Sequence, residues 1–163
     1  MELEGETRVG IVPGSVKKLL KAGFEVLVEK GSGESANYLD SEYESAGATI
    51  STRAEVLSCA NIVCIRFPGV EGISKGTNLT CVSDPFRCPE NVRACIDSGI
   101  TLLSMDMIPR RLSRAQSMDV NSSQDNLAGY KAVLIGAART PRGIPMMTTS
   151  AGTVRPAKVV IMG

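Results

Sequence analysis

The chain has 163 residues, 43% of them hydrophobic and 21% charged, with a formal net charge of +1. That balance is the one expected of an ordinary globular protein, so global disorder and bulk-charge attraction to a polyanion are both excluded. The longest run without a charged residue, Gly143 to Val154, is 12 residues long and rich in Thr, Ser and Gly, whereas a membrane span needs about 18 or more apolar residues.

The first residues, Met1 to Glu6, are acidic and lack an apolar stretch, which speaks against a secretory signal or an Arg-rich transit peptide. From Pro13 to Ala22 the placing of Val16, Leu19 and Leu20 on one face predicts a helix, with Gly23 where a C-terminal cap belongs. Phe24 to Glu29 alternates at the strand period. Ser41 to Ala46 reads as a short helix ended by Gly47, then Ala48–Ile50 as a strand and Arg53–Cys59 as a helix. Asn61–Ile65 and Thr80–Ser83 are strand candidates, Pro89 to Ile96 a helix with Pro in its first turn, and Ile100–Leu103 a further strand. Short apolar runs alternating with amphipathic segments are the pattern of βαβ units around a parallel sheet. Residues 106–119 break it with a polar, arginine-crowded loop. Asn121 to Ala138 then predicts a long helix that Ser122 or Ser123 would cap, with Leu127, Tyr130, Val133 and Leu134 as its apolar stripe. After Pro141, Gly143 and Pro145, the run Lys158–Met162 has a buried-strand pattern and is followed by Gly163. Such a glycine opens dinucleotide-binding turns, but on its own it says little.

The chain contains no histidine, so a Ser-His-Asp or Cys-His nucleophilic machine is excluded. Its five cysteines include no C-x-x-C pair, which removes the usual zinc spacings and suits free thiols. Acid–base or redox chemistry must therefore come from carboxylates, lysines or a cofactor.

The chemistry-bearing segment is Pro109-Arg-Arg-Leu-Ser-Arg-Ala-Gln-Ser-Met-Asp119, followed by Ser122-Ser-Gln-Asp-Asn126. Arg110, Arg111 and Arg114 are forks suited to phosphate or carboxylate, while Gln116 and Asp119 have the polarities that read an amide. The alternative reading is a solvated loop whose arginines pair with Asp106 and Asp119. Nucleic-acid binding is disfavoured, because the cluster is small, lacks aromatic residues and sits in a nearly neutral chain.

The stretch Ser113-Arg-Ala-Gln-Ser-Met-Asp119, with Ser122-Ser-Gln-Asp-Asn-Leu-Ala-Gly-Tyr-Lys-Ala-Val133, resembles the NAD(H)-binding domain of proton-translocating transhydrogenases. Glu6-Thr-Arg-Val9, Ser15-Val-Lys-Lys-Leu19, Gly23-Phe-Glu-Val-Leu-Val-Glu-Lys-Gly31 and Thr149-Ser-Ala-Gly-Thr-Val-Arg-Pro-Ala-Lys-Val-Val160 extend the likeness along the chain. The parts near the N-terminus are shared with the wider alanine dehydrogenase family. The resemblance implies an α/β fold of flavodoxin/Rossmann-like type: an open, mostly parallel sheet with flanking helices, incomplete at both ends. Residues 1–157 would form the family's N-terminal domain without its first strand, and residues 158–163 the first strand of a dinucleotide-binding domain. It also implies that the loop leans over a nicotinamide ring. NAD(H) would then be met by Arg111, Ser113, Arg114, Gln116, Ser117, Asp119 and Ser122, with Gln116 nearest the hydride path. Because the proline and the Ser-Arg-Ala-Gln tetrapeptide stand one residue further apart than in the family pattern, Arg110 competes with Arg111 for the ligand-facing position.

By the same likeness the reaction is direct hydride transfer from NADH to NADP⁺ held on a partner domain, with the cofactor supplying the chemistry and the protein the placement. The implied partners are the NADP(H)-binding and membrane-spanning parts and a second copy. The implied setting is the cytoplasmic side of a bacterial inner membrane or the matrix side of the mitochondrial one. Alanine dehydrogenases place basic residues near Arg8 and Arg66 to hold a substrate carboxylate, but they also use a histidine, which this chain lacks. Arg8 therefore reads as a surface or loop-anchoring residue. An alanine or saccharopine-type dehydrogenase fragment is the same-fold alternative, and a non-catalytic remnant the alternative of another class.

Overall fold

The computed structural model describes residues 2–162. The chain divides into two compact units at Asp119/Val120. In the first unit the helix expected after Pro13 is α1 (Pro13–Lys21), which buries Val16 completely and carries Lys18 and Lys21 in its last turn, where cations offset the helix dipole. Strand β1 (Leu27–Glu29) follows, shorter than the alternating run, because ladder pairing to β2 (Thr49–Ser51) covers only that stretch. Between them lie a 3-10 turn (Glu34–Ala36) and α2 (Asp40–Ala46), which Gly47 ends in the left-handed conformation at φ +99°. A Cβ at Gly47 would come within 2.7 Å of the Leu20 side chain, so both backbone angle and packing select glycine there. Helix α3 (Arg53–Leu57) is fixed by a reciprocal cap: Thr52 Oγ1 accepts from the Glu55 amide, and Glu55 accepts from the Thr52 amide at 2.8 Å.

Strands β3 (Asn61–Arg66), β4 (Asn78–Val82) and β5 (Thr101–Ser104) form a parallel sheet in the order β3-β4-β5, with helix α4 (Pro89–Ser98) joining β4 to β5. Ile62 and Cys64 on β3 and Leu79 and Cys81 on β4 point to one face, where Cys95 of α4, Val56 and Ile100 complete a core. The opposite face carries Val63, Val82 and Leu103, all partly exposed. A second core gathers Val16, Val26, Val28, Tyr43, Ala46 and Ala48, and the Tyr43 hydroxyl donates to the Ile11 carbonyl at 2.9 Å. All five cysteines are free thiols, and contact with Cys64 together with burial pushes the Cys81 thiol up.

The single sheet expected from the sequence is two separate parallel sheets, β1-β2 and β3-β4-β5. A groove of about 560 Å³, lined by Val9, Leu19, Phe24, Val26, Ile62 and Val63 among others, lies beside β1 and β3. The Glu2 carboxylate reaches the edge of β3, accepting from the Ile65 and Gly10 amides at 2.8 Å each. A side chain there does what a neighbouring strand's carbonyls do inside a sheet.

The second unit contains α5 (Val120–Arg139) and an antiparallel hairpin, β6 (Met147–Thr149) with β7 (Gly152–Val154). Helix α5 starts before the expected serine cap, and the Ser123 hydroxyl donates back to the Val120 carbonyl at 2.9 Å, inside the helix. Its apolar stripe exists, but no residue of α5 is buried. The hairpin was not expected. Residues 158–162 form no strand, and Val160 and Ile161 are over 80% exposed; an apolar run becomes a strand only with a ladder partner, and these residues have none. The glycine expected to follow them lies outside the described residues. Among the described residues no helix is long and apolar enough to cross a membrane.

Candidate functional site

The carboxyl ends of the strands in a parallel sheet are where α/β folds place ligands. At that end of β4 and β5 the chain leaves through Ser83-Asp84 and through a 3-10 turn at Met105–Met107, and the second exit leads into the arginine loop. The loop is a series of tight turns: Leu112 donates to Pro109, Ala115 to Leu112, Met118 to Ala115 and Asp119 to Gln116. A short 3-10 turn spans Gln116–Met118. Ala115 is buried and pins the middle of the loop, whereas Arg111, Ser113, Arg114, Gln116 and Ser117 are all exposed. The loop thus has a small apolar plug on one side and a row of donors facing solvent on the other.

The sequence left the two adjacent arginines open. Arg110 Nε lies 3.8 Å from Asp119 Oδ1, an internal pair that ties the start of the loop to its end. Arg111 takes no such pair among the described residues and projects outward. Asp119 is only 12% exposed at its side chain. The solvated-loop reading is therefore right for Arg110 alone, and Arg111 keeps the ligand-facing position. Ser122 belongs to the second unit, in the first turn of α5.

Two clusters escaped the sequence reading. The Glu6 carboxylate, 4% exposed, receives Arg8 through two bonds of 2.8 Å and Arg66 Nε at 2.9 Å. The Arg8 hydrogen bonds and charge, aided by Arg66, hold the Glu6 carboxyl down to about 2. Arg8 is thus an anchoring residue, bound to a carboxylate of its own chain. The other cluster is polar and sits at the exits of β4 and β5. The Ser83 and Ser104 hydroxyls are 2.7 Å apart, and Asp106 accepts from the Ser104 hydroxyl and from the Ser83 and Asp84 amides. Such hydroxyls, 21 positions apart, leave no periodic signal to find.

The arginine loop offers what an anionic ligand with an amide-bearing ring requires: guanidinium forks, hydroxyls, and a side-chain amide in a solvent-facing row. The donor set fits a nicotinamide nucleotide. Nothing in it resembles the histidine-dependent chemistry of the alanine-specific relatives.

Comparison with known proteins agrees with this geometry. The chain is 46% identical to an NAD(P) transhydrogenase subunit alpha chain of Rhodospirillum rubrum, the alignment covering 98% of this chain and 44% of that protein. The crystal structure of a transhydrogenase from Sinorhizobium meliloti matches with a TM-score of 0.87 and 42% identity over 95% of this chain and 45% of that one. An L-alanine dehydrogenase structure matches with a TM-score of 0.64 and 24% identity, over 71% of this chain and 34% of the other, a likeness of fold alone. The chain therefore spans less than half the length of these relatives. A family model described as alanine dehydrogenase/PNT, N-terminal domain, matches residues 2–128, and the chain belongs to that family.

Proposed function

We propose that this chain is part of the NAD(H)-binding component of a proton-translocating transhydrogenase, in which hydride passes from NADH to NADP⁺ held on a partner domain. The observation that carries this reading is the Arg111–Asp119 loop, which leaves the carboxyl end of a parallel sheet with its donors turned to solvent. NAD(H) supplies the hydride chemistry when bound. Arg111 and Arg114 would hold its anionic part. Ser113, Gln116, Ser117, Asp119 and Ser122 would orient the nicotinamide, with Gln116 nearest the reacting carbon. Residues 1–157 serve as the family's N-terminal domain and 158–163 lead into a dinucleotide-binding half. The partners are NADP(H)-binding and membrane-spanning parts and a second copy, on the cytoplasmic side of a bacterial inner membrane or the matrix side of the mitochondrial one. The absence of histidine weighs against an alanine dehydrogenase.

The test uses a protein in which this chain continues into a dinucleotide-binding half, mixed with an NADP(H)-binding domain. Single-turnover hydride transfer and equilibrium NADH binding are measured side by side. Gln116→Asn should keep most NADH affinity and lose on the order of 10²-fold in rate, because withdrawing the amide by about 1 Å misplaces the ring. Arg111→Ala should weaken both binding and rate, since it removes a charge-assisted donor. A Gln116→Asn rate within about twofold of the parent would mean that the loop is only scaffold.

A further inference from the structure

We infer that Asp106 is the positioning residue that sets the orientation of the arginine loop. The inference rests on the proposed role of that loop and adds a residue that the ligand need not touch. Asp106 lies in the Met105–Met107 turn, between the end of β5 and the loop. Its Oδ1 accepts from the Ser104 hydroxyl at 2.5 Å and from the Ser83 amide at 3.3 Å, and its Oδ2 accepts from the Asp84 amide at 3.0 Å. One carboxylate thus gathers two successive amides from the exit of β4 and a hydroxyl from the exit of β5. Successive amides converging on one anion form a concave nest, and here the anion is supplied by the chain itself. The nest is held from behind. Asp84 sits in the left-handed region at φ +48°, its carbonyl accepts from the Arg87 and Cys88 amides, and Asn91 of α4 donates to the Ser83 carbonyl at 2.9 Å.

A carboxylate occupied in this way is poorly suited to touch a ligand, but well suited to fix the direction of the loop that leaves it. The backbone bonds within residues 108–119 each span three residues, so they define the loop's shape without defining where it points. Direction has to come from the ends and from the Ala115 plug. The Arg110–Asp119 pair closes the loop upon itself, and Asp106 joins its start to both strand exits.

The test needs no nucleotide. Amide hydrogen exchange and limited trypsin cleavage after Arg110, Arg111 and Arg114 are followed by mass spectrometry in the full chain and in Asp106→Asn. The substitution preserves size but turns an NH₂ toward an amide that needs an acceptor. Exchange and cleavage across 108–119 should rise by about tenfold or more, as the loss of charge-assisted bonds implies. Amides of Leu79–Cys81 in the core should stay within about twofold. An unchanged loop would overturn the inference. So would uniform loosening of core and loop, which marks a residue that matters only for stability. If Asp106→Asn does not fold, Ser104→Ala removes one donor to the same carboxylate and is judged by the same two criteria. Because these readouts use no ligand, their failure leaves the NAD(H) reading standing, and a failed NADH assay leaves them standing.

Discussion

Replacing Glu6 by Gln keeps the shape of the side chain and removes the charge between Arg8 and Arg66. A carboxyl held at about 2 against an ordinary 4.5 corresponds to roughly 3 kcal/mol of preference for the charged form in the folded state. The guanidinium partners are 43% and 64% exposed, so solvent screening lowers the expected contribution to about 1–2 kcal/mol. The sign comes from the direction of the shift. A depressed carboxyl stabilises the fold fully above its unfolded value, and the contribution fades as pH falls from about 4.5 through about 2. Glu2, which burial pushes upward, works in the opposite sense, and subtracting variant from parent removes it to first order. Because the chain has two units, the assay should be local: hydrogen exchange at Leu79 under increasing urea, which reports opening of the first unit. Glu6→Gln should lower the opening free energy by about 1–2 kcal/mol at pH 7, and the difference should shrink toward zero near pH 2. A difference below about 0.5 kcal/mol at pH 7, or one that does not change with pH, would refute the argument.

Other perturbations address the core, the sheet and the ligand. Leu79→Ala, at a side chain with no exposure, should cost about 2–5 kcal/mol in urea unfolding, and a cost under about 1 kcal/mol would mean that this core collapses around the cavity. Gly33→Ala should destabilise by about 1–3 kcal/mol although its backbone angle is ordinary, because the new methyl would lie 2.6 Å from the Tyr38 carbonyl oxygen and 2.7 Å from the Tyr43 ring; unchanged thermal unfolding would contradict this. The free edges of β1 and β3 should show poor exchange protection at residues 24–29 and 61–65 compared with β4, which is paired on both sides. Finally, the 163-residue chain alone should bind NADH weakly, since loop hydrogen bonds at about 0.5–1.5 kcal/mol each scarcely cover the cost of association; a micromolar constant by calorimetry would contradict it.

The elements that could be read from the sequence are those whose signal is local. Gly23, Gly47 and Gly99 stand just past α1, α2 and α4 in left-handed conformations, where a missing Cβ is what the chain needs. Alternation marked β3 because Ile62 and Cys64 face a core while Asn61 and Val63 do not. Pairing, in contrast, is not local. Nothing in Leu27–Glu29 or Asn61–Arg66 says that the two strands belong to separate sheets, and nothing in Lys158–Met162 says whether a neighbour is at hand. The hairpin of β6 and β7 stayed hidden because its residues, Met147-Thr-Thr and Gly152-Thr-Val, lack the apolar alternation of a strand with a core face, and none of them is buried.

The same distinction separates the parts of the site. Residue chemistry marks the arginine loop as a place for an anion, since three guanidiniums within five residues need no partner search to be noticed. Which arginine serves the ligand is a question of geometry, because Arg110 and Arg111 are chemically identical and adjacent. Their side chains leave the chain in different directions, and one direction meets Asp119. An arginine already paired must give up its carboxylate before it can grip a phosphate, whereas an outward one exchanges only water. The extra residue between Pro109 and Ser113 therefore does not displace the ligand-facing arginine; it adds an internal tie ahead of it. On this argument Arg110→Ala should loosen the loop and act on affinity only through that loosening. Restoring order by other means, such as crosslinking the loop ends, should rescue Arg110→Ala but not Arg111→Ala. Equal rescue of both variants in NADH titrations would show that the two arginines share one role.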